Sequence, residues 1–236
     1  MSSAGSAPVL RHRPPEIIPV GQTEGVETWA IVVAAGTGTR FGGAKQFAVL
    51  AGAAVLDRAV ATAQRACAGV VVVLAEPGGW DPPDGVATAP GGATRSDSVR
   101  AGLARVPESA GVVVVHDAAR PLASHGLYEL VIAAVEGGAD GAVPAMRVVD
   151  TIKRVDDGRV VATVERDDLV AVQTPQAFRA GVLRAAHASG AIGTDDAAVV
   201  EAAGGTVVIV PGERKNLKIT LPEDLELAAA LLEGAD

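Results

Sequence analysis

The chain has 236 residues, a formal net charge of −8, 49% hydrophobic but only 3% aromatic residues, and one cysteine. That length can bury a sizeable core as one α/β domain with room for one excursion, and Ala, Val and Leu must build the core, which suits helices packed on a parallel sheet. The acidic balance argues against the basic footprint of non-specific nucleic-acid binding, no apolar run reaches the ~20 residues that span a bilayer, and the lone Cys67 forms no internal disulfide and points to a reducing compartment.

In chain order, residues 1–27 are rich in Ser, Pro, Gly and Glu and lack the apolar centre of a signal peptide. They read as a disordered N-terminal extension on a cytoplasmic protein. Next comes the apolar run Ala30-Ile31-Val32-Val33-Ala34-Ala35, which stops at Gly36-Thr37-Gly38-Thr39-Arg40-Phe41-Gly42-Gly43-Ala44-Lys45-Gln46. This is a buried strand feeding a glycine-rich, anion-binding loop. Without Cβ atoms at Gly36, Gly38, Gly42 and Gly43, the backbone can reach positive φ and close its N–H groups on phosphate oxygens. Arg40 adds a planar fork and Lys45 a point charge, a pair suited to a triphosphate. A dinucleotide fingerprint is excluded because Phe41 stands where a small residue is needed, and a P-loop because Gln46, not Ser or Thr, follows Lys45. What remains, Gly-x-Gly-x-Arg followed by Lys, matches nucleotidyltransferases. The competing reading is a flexible strand-to-helix turn with solvated cations.

Residues 55–67 have helical spacing, and Cys67 among apolar neighbours reads as a structural thiol. Strands are expected at 70–74 and 86–89, with Trp80 between them as a surface anchor. Gly91-Gly92-Ala93-Thr94-Arg95-Ser96-Asp97-Ser98 is a second glycine turn entering a helix capped by Ser96 or Asp97. The strand at 112–115 ends in His116-Asp117-Ala118-Ala119-Arg120-Pro121. Ligands collect at the carboxyl ends of strands in open parallel sheets, so Asp117 and Arg120 are expected near Arg40 and Lys45. Asp117 is a candidate for Mg²⁺ or a ligand hydroxyl, against a plain Asp–Arg ion pair; His116 reads as a packed strand residue. Ser124 caps a helix, and a strand follows at 141–145. Alternation over 149–164 around Asp156-Asp157-Gly158 signals a β-hairpin, which needs something to pack on, such as its twin in a dimer. A strand at 169–172, a helix at 182–188 with His187 at the surface or rim, a helix start at Gly193-Thr194-Asp195-Asp196, a strand at 207–210, a basic cluster at 214–218 and a helix opened by Pro222 complete the chain.

Four stretches together resemble 2-C-methyl-D-erythritol 4-phosphate cytidylyltransferases of the non-mevalonate isoprenoid pathway. They are Ala34-Ala35-Gly36-Thr37-Gly38-Thr39-Arg40 with Lys45-Gln46, the turn from Gly91 to Ser98, Val115-His116-Asp117-Ala118-Ala119-Arg120-Pro121, and Asn216-Leu217-Lys218-Ile219-Thr220 with Pro222-Glu223-Asp224-Leu225. Thr174-Pro175-Gln176 and Thr194-Asp195 fit as well, so the resemblance covers about residues 29–232. It implies an α/β, Rossmann-like three-layer nucleotidyltransferase fold with a mixed, mostly parallel sheet over 28–147 and 171–236, and a protruding β-arm at 148–170 for homodimerisation. It also implies transfer of CMP from CTP to the methylerythritol phosphate.

By that resemblance Ala34, Ala35, Gly36, Thr37, Gly38, Gly91, Gly92, Ser98, Asp117 and Ala118 line a CTP site with Arg40 and Lys45. Asp117, Arg120, Thr151, Arg166, Thr174, Thr194 and Lys218 surround the acceptor, a small phosphorylated polyol. Arg40, Lys45, Lys218 and Arg166 are the implied catalytic groups, with Arg166 reaching the partner subunit's site. Mg²⁺ or another divalent cation is the implied cofactor, held by Asp117 or otherwise through the CTP phosphates. Two departures are visible: Ala44 stands where the family commonly has proline, and the N-terminal extension lies outside its pattern. The rival readings are a ribitol-5-phosphate cytidylyltransferase and a non-catalytic nucleotide-binding module.

Overall fold

A computed structural model describes residues 26–76 and 79–234. The expected extension over 1–27 therefore lies, apart from Val26 and Glu27, outside the described residues. Strand β1 (Thr28–Ala34) is the spine. Its alternate residues serve opposite faces: Ala30, Val32 and Ala34 enter one core and Ile31 the other. A 3₁₀ turn (Lys45–Phe47) and a two-residue ribbon, β2 (Val49–Leu50) with β3 (Ala53–Ala54), lead from the glycine loop into α1 (Val55–Ala66).

Strand β4 (Gly69–Leu74), buried throughout, pairs parallel with β1, and β5 (Val86–Pro90) pairs parallel with β4. Helix α2 (Arg95–Leu103) then crosses to β6 (Val112–Asp117), which lies parallel to β1 on its other side. Helix α3 (His125–Glu136), capped by the Ser124 hydroxyl, leads to β7 (Gly141–Arg147). The hairpin of β8 (Ile152–Asp156) and β9 (Arg159–Val164) forms a two-stranded sheet of its own. The chain returns through β10 (Val170–Val172), β11 (Gln176–Arg179), α4 (Ala180–Ala188), α5 (Asp196–Ala202), β12 (Val207–Pro211) and α6 (Pro222–Glu233).

The large sheet runs β10-β7-β11-β6-β1-β4-β5, with β12 also paired parallel to β7. It is mixed and mostly parallel, with the antiparallel pairings confined to β10 and β11. Leu56 and Val60 of α1 and Leu127, Tyr128 and Val131 of α3 fill one face. Val99 and Leu103 of α2, Leu183 of α4 and Val200 of α5 fill the other. This is a three-layer α/β fold. A third cluster, in which Ala228 of α6 meets Leu50, Val55 and Ile219, ties the C-terminal segment to the exit of the glycine loop. Among the described residues no helix is long and apolar enough to cross a membrane.

Two local readings change. Residues 176–179, which the sequence reading assigns to no element, form β11, paired antiparallel with β6 and β7 in the middle of the sheet. Gln-Ala-Phe-Arg has little strand propensity of its own, so its neighbours impose the conformation. The cap of α2 is Thr94, not Ser96 or Asp97. Its hydroxyl accepts from the Asp97 amide at 3.0 Å while the Asp97 carboxylate accepts from the Thr94 amide at 3.0 Å, a capping box.

Close helix–sheet approach depends on Gly102 of α2, where a Cβ would stand 2.5 Å from Ile31 Cγ2 and 3.1 Å from Val73 Cγ2. Gly102→Val should therefore overpack this layer and cost about 1–3 kcal/mol, read as a lower urea midpoint at unchanged slope.

Candidate active site

A cavity of about 410 Å³ opens at the carboxyl ends of the parallel strands β1 and β6. Its walls are the β1 exit (Ala34, Ala35, Gly36, Thr37), the second glycine turn (Gly92 to Arg95, with Ser98), the β6 exit (Asp117, Ala118, Ala119), and Lys45, Gln46 and Lys218. The two loops meet closely: a Cβ on Gly91 would lie 2.4 Å from the Ala35 Cβ. Ser98 braces the second turn, accepting from the Gly92 amide at 3.2 Å and donating to the Thr94 carbonyl at 3.1 Å.

Part of the first loop is closed on itself. The amides of Phe41, Gly42 and Gly43 all donate to the Gly38 carbonyl, at 2.9, 3.0 and 3.3 Å. Gly38 has φ +65°, and a Cβ there would sit 1.9 Å from the Gly43 oxygen, so the turn requires glycine. The expectation that the Gly42 and Gly43 amides face a phosphate is thus corrected. Closing the turn consumes them.

Charge is concentrated around one carboxylate. Asp117 accepts from Lys218 Nζ at 2.6 Å on one oxygen and from Arg95 Nη2 and Nε at 3.2 and 3.3 Å on the other. Burial alone would raise the Asp117 carboxyl, but Arg95 and Lys218 outweigh it and hold the group well below the usual carboxylate range. Arg95 also donates through Nη1 to Asp196 at 2.7 Å. Lys45 Nζ donates to the Ile219 carbonyl at 2.7 Å, and its pKa is lowered by burial and then by the neighbouring cations Lys218 and Arg40. Lys45, Arg95 and Lys218 thus converge where Asp117 is the one carboxylate among the lining residues, an arrangement suited to a polyanion.

Beneath Asp117 a hydrogen-bonded row fixes the β6 exit. The Asp117 amide donates to Thr174 Oγ1 at 3.0 Å, Thr174 Oγ1 pairs with His116 Nδ1 at 3.1 Å, and His116 Nε2 lies 3.2 Å from the Arg120 carbonyl. The row is consistent with a neutral His116 carrying its proton on Nε2, since Thr174 then donates to Nδ1. Burial pushes this imidazole down to about 4. Arg120 Nη1 donates to the Asn216 carbonyl at 2.7 Å, while its buried Nε has no partner among the described residues. As for a metal, no group of three or more His, Cys, Asp or Glu side chains gathers among the described residues, and both Asp117 oxygens are taken by cations. The residues present do not form a protein cage for a divalent ion.

A family model described as 2-C-methyl-D-erythritol 4-phosphate cytidylyltransferase matches residues 28–234. This chain belongs to that family. A relative of that name from Frankia casuarinae is 45% identical over 221 residues, spanning 88% of this chain and 82% of that protein. Another from Rubrobacter xylanophilus is 44% identical over 222 residues, spanning 88% and 95%. The crystal structure of the cytidylyltransferase from Thermus thermophilus superposes with a TM-score of 0.74 at 36% identity, covering 86% of this chain and 98% of that one.

Of the residues the cytidylyltransferase resemblance singles out, Ala34, Ala35, Gly36, Thr37, Lys45, Gly92, Ser98, Asp117, Ala118 and Lys218 line the cavity. Gly38, Arg40, Gly91, Arg120, Thr151, Arg166, Thr174 and Thr194 do not. Gly38 and Gly91 shape the loops, Thr174 is buried under Asp117, and Arg40 is exposed near Lys45. Thr151 and Arg166 flank the β8–β9 hairpin and are exposed, with Arg166 Nη1 donating to the Val149 carbonyl. Thr194 is exposed beside Asp195, the α5 cap.

Two polar residues take places that the sequence reading misses. Arg95, there only a member of a glycine turn, bridges Asp117 and Asp196. The available signal is its position: a cation in the first turn of a helix opposes the dipole and calls for carboxylate partners. His187, expected at the surface or rim, is 2% exposed, with Nε2 3.0 Å from Asp196. It shares the inward face of α4 with Leu183 and Ala186. Cys67 behaves as expected, its thiol pushed up to about 12 by burial. Trp80 donates to Asp57 at 2.8 Å and packs on the core, as a surface anchor should.

His116 makes stability depend on pH. Its folded pKa of about 4 lies below the ordinary 6.5, so the unfolded chain takes the proton first on acidification. The stabilisation is complete above pH 6.5 and is lost as pH falls to 4, a decline on the order of 3 kcal/mol. Urea unfolding across this range should show that fall, and His116→Gln should flatten it.

Proposed function

We infer that this chain transfers CMP from CTP to 2-C-methyl-D-erythritol 4-phosphate, giving 4-diphosphocytidyl-2-C-methyl-D-erythritol and pyrophosphate, in isoprenoid precursor synthesis. The observation that carries the reading is the Asp117 carboxylate held by Arg95 and Lys218, with Lys45 beside them, in a cleft also lined by Ala34, Ala35, Gly36 and Thr37. A wall of small residues (Ala34, Ala35, Gly36, Gly92) and the Ser98 turn suits a pyrimidine read through backbone groups, and the cations suit its phosphates.

The acceptor phosphate is already ionised near neutral pH. Its oxygen attacks the α-phosphorus of CTP in line, the bond to the β-phosphate breaks, and pyrophosphate leaves with the electron pair. No strong general base is needed, so catalysis reduces to placing the two phosphates and neutralising charge. Lys45 sits between the loop and Ile219, where it would meet the triphosphate, with Arg40 at the mouth. Lys218, fixed by Asp117, would meet the acceptor phosphate with Arg120 behind it, and Thr174 and Thr194 frame that side. Bound Mg²⁺ would supply charge neutralisation on the triphosphate, and we assign it to the CTP phosphates, because both Asp117 oxygens already pair with cations.

We further propose that the protein is a cytoplasmic homodimer joined through the β8–β9 arm. Val155 and Val160 face each other across the hairpin and are 56% and 62% exposed, and an isolated two-stranded hairpin is marginal in water. In this arrangement Thr151 and Arg166, which do not line their own cavity, would serve the partner's. Val160→Glu should then shift the sedimentation coefficient from dimer to monomer.

The activity is tested by pyrophosphate release from CTP and Mg²⁺, with 2-C-methyl-D-erythritol 4-phosphate and ribitol 5-phosphate offered separately. Release with the first and not the second is expected; the reverse would replace the acceptor, and silence with both would favour a binding module. Lys45→Ala should lower kcat by about 100-fold or more with the far-ultraviolet circular dichroism unchanged.

A further inference from the structure

The charges around Asp117 do not end at the cleft. Arg95 offers two edges of one planar guanidinium: Nε and Nη2 face Asp117, and Nη1 faces Asp196. Because the fork is rigid, a rotation that loosens one edge displaces the other. Asp196 is fully buried, and its two oxygens are divided between Arg95 Nη1 at 2.7 Å and His187 Nε2 at 3.0 Å. His187 is itself buried, and among the described residues its Nδ1 has no partner and its side chain's one polar contact is with Asp196. The row His187–Asp196–Arg95–Asp117–Lys218 joins α4, α5, α2, the end of β6 and the segment before α6.

Burying a carboxylate and a guanidinium together is costly, and apolar residues of the same volume would commonly serve stability as well. What apolar residues cannot do is orient a guanidinium that faces solvent on its other side. We propose that Asp196 and His187, which lie outside the cleft, are positioning residues for transfer: His187 orients the Asp196 carboxylate, Asp196 fixes the plane of Arg95, and Arg95 sets Asp117 and with it Lys218. The inference rests on the reading of Asp117 and Lys218 as the acceptor side of the cleft. A second link supports the coupling of the nucleotide turn to the α5 segment, because the Gly193 amide donates to Ser96 Oγ at 3.3 Å.

The test is steady-state kinetics of the full chain with Asp196→Asn, His187→Gln and the pair, normalised to folded protein. Asp196→Asn should lower kcat/KM for the methylerythritol phosphate by about 10- to 100-fold, as a displaced reacting group does, while KM for CTP stays within about threefold. His187→Gln should give a smaller fall in the same constant. The double variant should be no worse than Asp196→Asn alone, since His187 acts only through Asp196. A purely structural row would lower the melting temperature and leave these constants unchanged, which overturns the proposal. If Asp196→Asn does not fold, His187→Gln decides, because it leaves the Arg95–Asp196 pair intact. If the unaltered chain releases no pyrophosphate, the reaction assigned above fails by itself. The positioning claim is then judged from a crystal structure of His187→Gln: a reoriented Asp196 with Asp117 and Lys218 displaced supports it, and an unmoved Asp117–Lys218 pair overturns it.

Discussion

The carboxylate of Asp117 at the end of β6, held between Arg95 and Lys218, is the constraint on which the site depends. It keeps two cations from distant parts of the chain close together in a half-buried cleft, where each would otherwise repel the other. Removing it would leave Lys45, Arg95 and Lys218 facing one another with no lining carboxylate among the described residues. The backbone beneath it is equally determined, because the Thr174 hydroxyl accepts the Asp117 amide and is itself paired with a buried His116.

The sheet explains why these groups meet. Parallel pairing of β6 with β1 sets Asp117 opposite Val33, one residue from the small-residue exit at Ala34. Low aromatic content then has a consequence for the site: Ala and Gly at the loop contacts let two backbone turns touch where larger side chains would hold them apart. Asn216 acts in the same way for the C-terminal segment. It is buried and donates to the Thr174 carbonyl at 2.9 Å, bringing Lys218 over the β6 exit.

Much of this was legible in the sequence. Strands β1, β4, β6, β7 and β12 and helices α1, α3 and α6 announce themselves through continuous apolar runs or helical periodicity with caps, because those signals come from local sterics and burial. The turn at Asp157-Gly158 did too, through its residue types. Strand β11 was not legible, since Gln176-Ala177-Phe178-Arg179 becomes a strand only because β6 and β7 flank it. The glycine loop was legible as a loop, but not the direction of the amides of Phe41, Gly42 and Gly43, which depends on how the turn closes.

The sequence by itself determined the strand-loop pattern, the acidic balance and the presence of Arg40, Lys45, Asp117 and Lys218 in motifs that suit a nucleoside triphosphate. These are properties of residue type and spacing, which act over a few neighbours. The partners of those residues were decided only by the tertiary structure. Arg95 meets Asp196 across 101 positions of chain, Lys218 meets Asp117 across another 101, and His187 leaves the surface because α4 packs its inward face against the core. Electrostatic pairing and burial depend on distance in space, and only the folded sheet converts distance along the chain into distance in space.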